Sequence, residues 1–321
     1  MGTVRTILGD VDSKELGIVD AHEHLICTGG LEILKNGEDW RLNDVNKAIN
    51  EVKLFAKAGG KTIVDMNPIS NGRDVEKMLE IAKAVPGVHF LMCTGFLEGR
   101  IYDDVIHWSA TYPVKTIADL LIADIEEGID IYDYNGPVVK RSKAKAGCLK
   151  VGTAYGLITR VEERMIEAVA MAQKVTGVCI NTHTAGGTMA LEQAERFIQY
   201  GVKPDRIVIG HVQRNPDVWY HKKILKLGVN FMYDGPYRIK YLPDSSRVML
   251  IKEMIQAGYQ KQIVLGTDAG RRTYHKSWGS GTGIDYDETI FMPRLRDEGV
   301  SEEAIQDIYV NNPARLFSID K

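Results

Sequence analysis

The sequence predicts an α/β fold, a (β/α)8 TIM barrel carrying its chemistry at the carboxyl ends of the strands. Eight short apolar runs alternate with longer amphipathic stretches along the chain. The runs are continuously apolar rather than alternating, which suits parallel strands covered on both faces. Histidines, one lysine and an aspartate stand at or near the ends of five of them, on the face where barrel enzymes keep their reactive groups. A doubly wound open sheet is the alternative. It wants a glycine-rich phosphate turn after the first strand, where His22-Glu23-His24 stands instead.

In order, the strands are expected at 17–22, 61–66, 89–95, 147–152, 177–183, 206–211, 228–235 and 262–268. Each is a short run bounded by turn residues, such as KTIVDM, GVCINTH or QIVLGTD. Helical spacing fills the gaps at 43–58, 74–84, 116–129, 159–175, 189–200, 217–227 and 245–258. An Asn or Asp opens the first of these and Asp74 the second, while Thr116 with Asp119 makes a near capping box for the third. Glycine ends several of them. No internal repeat or linker interrupts the pattern, so residues 1–321 are expected to form a single domain.

Composition narrows the function. Lysine and arginine number 40 against 43 acidic residues, a net charge of −3, which argues against a nucleic-acid partner. No run of 18 apolar residues is present, so no membrane span is expected. Cys27, Cys93, Cys148 and Cys179 are widely spaced and mostly sit in apolar runs. They read as free core thiols of a reducing, cytoplasmic protein.

The strand ends carry the informative pattern. Residues i and i+2 of a strand share a face, so His22 and His24 both point into the barrel mouth and Glu23 points away. Neutral imidazoles are common metal ligands; His183, His211 and Asp268 end three further strands. The other four histidines, His89, His107, His221 and His275, read as structural, with His275 left open because it lies in the loop after the last strand. Lys150 is the odd residue, since an ammonium inside GCLKVG is costly without a partner. A salt bridge to Asp268 or Asp65 is one solution. Carbamylation by CO2, which turns the amine into an anionic ligand able to bridge two cations, is the other.

These positions resemble the phosphotriesterase-like lactonases of the amidohydrolase superfamily over nearly the whole chain. The match runs from His22-Glu23-His24-Leu25 through Lys150, Thr182-His183-Thr184, Ile209-Gly210-His211 and Thr267-Asp268 to Asn312-Pro313-Ala314-Arg315-Leu316-Phe317. The resemblance implies a binuclear centre. His22, His24 and Asp268 would hold one divalent metal, His183 and His211 the other, and carbamylated Lys150 with a hydroxide would bridge them. Zinc is the first expectation, with manganese, cobalt or iron allowed by the same ligand types. Two such ions bring the pKa of bound water towards about 7. Asp268 would take the hydroxide's proton and hand it to the alkoxide that leaves as a lactone ring opens. The family also suggests a homodimer. Where several members carry a tyrosine after the third strand, this chain reads Thr94-Gly95-Phe96-Leu97, with no tyrosine until Tyr102, so long-chain acyl lactones are not the expected substrates.

The last two loops point to an anionic small molecule. Arg238 and Lys240 follow the seventh strand; Arg271, Arg272 and Lys276 follow the eighth, and barrels often bind phosphate there. The pattern is similar to the subgroup that opens phosphorylated sugar lactones, with Lys240, Arg271 and Tyr274 gripping the phosphate and Trp278 in a lid. A pentono-1,4-lactone phosphate is the expected substrate. A cyclic amide hydrolase or a promiscuous phosphotriesterase or carboxylesterase built on the same ligands is the alternative, and a non-catalytic metal-binding protein a more distant one.

Overall fold

A computed structural model describes residues 2–103 and 107–320. The chain opens with an antiparallel hairpin, β1 (Thr3–Thr6) and β2 (Gly9–Asp12). Eight parallel strands follow: β3 (Ile18–Glu23), β4 (Gly60–Asp65), β5 (His89–Gly95), β6 (Cys148–Thr153), β7 (Ile180–Thr184), β8 (Ile207–Gly210), β9 (Asn230–Asp234) and β10 (Ile263–Gly266). They pair in chain order from β3 to β10. The last seam is closed mostly by side chains and loop backbone. The Asp268 N–H donates to the His22 carbonyl at 2.7 Å, and the Asp20 carboxylate accepts from the Thr267 hydroxyl at 2.7 Å. Helices lie between consecutive strands, so the predicted (β/α)8 TIM barrel is what the chain forms and the open sheet is excluded.

The strands are apolar on both faces because both are covered. Val19, Ala21, Val64, Leu91, Cys93, Cys148, Cys179, Val208, Met232 and Val264 fill the barrel interior. Their neighbours in sequence, such as Ile63, Phe90, Leu149, Ile180 and Ile209, pack outward against the helices. All four cysteines are buried and free, as expected of core thiols. The hairpin seals the amino ends of the strands, with the Ile7 N–H on the Phe90 carbonyl at 2.9 Å.

Two of the three expected caps hold: Asp44 caps Val45–Lys57 and Asp74 caps Val75–Ala84. Thr159 with Glu162 adds a full capping box on Arg160–Thr176 that was not among them. The third helix departs from expectation. Val114–Glu126 starts at Pro113, whose fixed φ lets the helix begin early. Thr116 therefore lies inside the first turn, and Asp119 pairs with Lys115 at 2.7 Å instead of serving a cap. After β10 the chain runs through a long loop before the turns of Asp287–Phe291 and Met292–Asp297.

Candidate active site

The strand ends bring all six expected positions into one cluster. His22 lies in β3 and His24 just beyond it, Lys150 lies in β6, His183 in β7, His211 directly after β8, and Asp268 two residues after β10. Asp268 Oδ1 stands 3.3 Å from His24 Nε2 and 3.5 Å from His22 Nε2. The Lys150 amine is 3.2 Å from His22 Nε2. The rings of His183 and His211 are 4.5 Å apart, and those of His22 and His211 5.2 Å. Among the described residues no carboxylate comes within 4.0 Å of Lys150, so neither expected salt bridge to Asp268 or Asp65 is present.

Glu23 points away from the mouth, as the two-residue period requires. Its carboxylate accepts the N–H of Ala269 at 2.8 Å and binds the Thr267 hydroxyl. It therefore ties β3 to the segment bearing Asp268. Register matters at β5 and β6, where Gly95 pairs with Lys150. A Cβ on Gly95 would meet the Lys150 carbonyl at 2.0 Å, so only glycine lets the two backbones approach that closely.

The sequence reading missed Asp234, the last residue of β9. Its Oδ1 binds His211 Nδ1 at 2.7 Å, and its Oδ2 lies 3.5 Å from His22 Nδ1. A carboxylate on Nδ1 orients an imidazole and leaves its far nitrogen for a ligand. Asp234 closes the run NFMYD much as Asp268 follows IVLGT, so the signal was present.

Electrostatics favour ligand forms of these side chains. Burial, and then the neighbouring Lys150 charge, pushes His22 down to about 3. Burial likewise lowers His183 and His211, with His211 and Arg214 respectively adding to the effect. Burial alone would raise Asp268, but Arg238 and the histidines outweigh it and hold the carboxyl well below its usual range. Neutral imidazoles and an ionised carboxylate are what a divalent metal needs. Two donor groups, His22–His24–Asp268 and His22–His211–Asp234, have ligand atoms within 4.8 Å of one another. Among the described residues the buried His22 Nδ1 and Asp234 Oδ2 have no hydrogen-bond partner. The donor set of imidazole nitrogens and carboxylate oxygens fits zinc, manganese, cobalt or iron. His211 and Asp268 also sit at φ 63° and 49°, a left-handed conformation that non-glycine residues hold mainly where the surroundings impose it.

A cavity of about 290 Å³ opens over this cluster. Lys240, Arg271 and Tyr274 line its rim with Trp40; Arg214 and Arg238 line it deeper, on Asp268; and Glu32 and Glu98 also border it. The three expected anion-binding residues meet at the Tyr274 ring, which lies 5.7 Å from the Lys240 amine and 5.9 Å from the Arg271 guanidinium. Arg271 also stacks on Trp40 at 4.3 Å. Trp278 is not a lid over the cavity. It packs with Trp40 against Cys27, Ile33 and Leu42, with Lys47 over its ring at 3.9 Å. His275 is structural, its Nε2 bound to the Ala269 carbonyl at 2.6 Å. Tyr102 is buried, with its hydroxyl on the Ile69 carbonyl at 3.0 Å.

Residues 2–317 match the model of the phosphotriesterase family. The chain belongs to this family. The phosphotriesterase-family chain is 46% identical to a phospho-furanose lactonase of Mycoplasmopsis synoviae, over 99% of its own length and 92% of that relative's. Among solved structures it is similar to an amidohydrolase from Mycoplasma synoviae, with TM-score 0.97 and 45% identity over 100% of this chain and 93% of that one. It is also similar to a lactonase from Listeria monocytogenes, with TM-score 0.92 and 32% identity over 99% and 100% of the two chains. No helix among the described residues is long and apolar enough to cross a membrane.

Proposed function

We propose that this phosphotriesterase-family protein is a metal-dependent hydrolase that opens the ring of a phosphorylated furanose lactone. The observation that carries this reading is the meeting of Lys240, Arg271 and Tyr274 at the rim of the cavity whose floor is the His/Asp/Lys150 cluster. A cationic rim and a metal-competent floor suit a substrate with an anion at one end and a carbonyl at the other. The full-length likeness to a phospho-furanose lactonase supports the same substrate. His22, His24 and Asp268 would hold one divalent metal and His183 with His211 the other, with carbamylated Lys150 between them. Bound there, the ions supply an acidified water and a Lewis acid for the carbonyl. The chain's own residues do the rest. Asp268 accepts a proton from the attacking water and returns it to the ring oxygen as the C–O bond breaks, which prevents re-closure. Lys240, Arg271 and Tyr274 hold the phosphate, so that the carbonyl lies over the floor. A homodimer in the cytoplasm belongs to the same proposal, and four free buried thiols are consistent with that compartment.

Protein reconstituted with excess metal and then desalted should hold close to two metals per chain by elemental analysis. A ratio near one at full activity would remove the binuclear assignment.

The substrate assignment is tested by kcat/KM for matched phosphorylated and unphosphorylated pentonolactones. Charge-assisted contacts contribute about 1.5–3 kcal/mol each. Lys240 is exposed and the Arg271 side chain is 30% exposed, so solvent screening keeps each contact at the low end. Two such contacts then predict a preference of about 10²-fold for the phosphorylated lactone. Arg271→Ala should cut it to about tenfold while sparing the unphosphorylated substrate. Equal values for the two lactones would return these loops to a solvated surface.

A further inference from the structure

We propose that Arg238 is the positioning residue of Asp268, fixing the plane of its carboxylate so that Oδ1 is presented to His22 and His24. Its Nη1 donates to Asp268 Oδ2 at 2.6 Å and its Nη2 to the carbonyl of the adjacent Thr267 at 3.2 Å. One rigid fork thus grips a side chain and the backbone beside it. Oδ1 is left facing the Nε2 atoms of His24 and His22 at 3.3 and 3.5 Å. The terminal torsion of an aspartate is broad, so without this grip the carboxylate plane swings away from the histidine nitrogens at little cost.

The loop after β9 is built around the contact. Gly235 has φ +61°, and a Cβ there would stand 3.0 Å from Arg238 Nε and 3.1 Å from its Cζ. The arginine therefore lies in space that any side chain at 235 would fill. Arg247 Nη2 fixes the Gly235 carbonyl at 2.8 Å, and Asp244 accepts the Tyr237 N–H at 2.9 Å. The Arg238 side chain is only 6% exposed and its guanidinium lies 4.8 Å from the Tyr274 ring. With both terminal nitrogens committed inward, its task differs from that of the rim cations. Arg214 reaches the same Oδ2 at 3.4 Å, a longer contact with no second, backbone anchor among the described residues.

This role rests on the reading of Asp268 as the proton carrier, and the test separates the two. Arg238→Met, Arg238→Lys and Asp268→Asn are compared in metal-reconstituted protein on the phosphorylated pentonolactone and its unphosphorylated partner. Arg238→Met should lose about 10²-fold in kcat, the scale of a misplaced reacting group. Its KM, its phosphate preference and its metal content should stay near wild type. In Arg238→Ala, which leaves the space open, added guanidinium should restore part of the lost turnover, which a purely structural defect would not allow. Arg238→Lys keeps the charge but not the fork and should recover only part of kcat. Unchanged turnover in Arg238→Met overturns the proposal, as does a loss confined to KM for the phosphorylated lactone, or activity that falls only in step with metal content. If Arg238→Met fails to fold, the lysine variant decides, and wild-type turnover there overturns it equally. Normal turnover in Asp268→Asn would fell the reading of Asp268 itself. A dead Asp268→Asn beside an unaffected Arg238→Met fells the positioning role alone.

Discussion

Asp268→Asn should lower kcat by about 10²–10⁴-fold, the usual worth of a positioned proton carrier. An amide accepts no proton from water at neutral pH and has none to return to the leaving alkoxide. The two carboxylate oxygens have different surroundings, with Oδ1 toward His22 and His24 and Oδ2 on Arg238 and Arg214. Asparagine has one acceptor, and the guanidiniums will claim it. Its NH2 then faces the imidazoles, where a donor is a poor metal ligand. Turnover should therefore be read per mole of bound metal, after reconstitution with excess. Near-normal turnover per metal would mean that another group moves the proton.

Lys150→Ala should empty the site and abolish activity, and a short carboxylic acid in the buffer should restore part of both. Lys150 is 1% exposed, and its amine meets an imidazole nitrogen at 3.2 Å with no counter-charge within 4.0 Å among the described residues. An ammonium left there beside two divalent cations would be unpaired and strongly repelled. A carbamate removes the positive charge and supplies two anionic oxygens in the same place. A free carboxylate diffusing into the space left by alanine offers the same atoms without the tether. A structure with both metals bound and a bare amine at 150 would refute this account.

Much of the barrel was legible because its strands are apolar on both faces. A run such as RIVIG needs no partner to announce itself, and the histidines that end these runs stand out against it. The hairpin Thr3–Thr6 with Gly9–Asp12 was not legible, because four-residue strands that alternate Thr, Arg and Asp with single apolar residues resemble a polar terminus. Thr116 misled because its side chain fits a cap while Pro113, three residues earlier, fixes the backbone first. At the site, the residue at each strand end was readable and what it touches was not. The link between Arg238 and Asp268 spans 30 residues, and that between Asp234 and His211 spans 23. Such pairs are set by strand order and register, which a spacing pattern within one segment does not contain. The stacking of Arg271 on Trp40 escaped notice for the same reason, since Trp40 arrives from the segment between β3 and β4.

The left-handed backbone of His211 and Asp268 has a bearing on how this protein responds to selection. Such conformations cost about 1–3 kcal/mol each for a residue with a Cβ and far less for glycine. Glycine would relieve that strain, but at 268 it leaves the buried Arg238 guanidinium without its carboxylate and at 211 it leaves Asp234 without its imidazole, so neither position offers an easy gain in heat resistance. Libraries meant to harden this scaffold are best drawn with both codons held constant, leaving gains to come from the helices and surface loops.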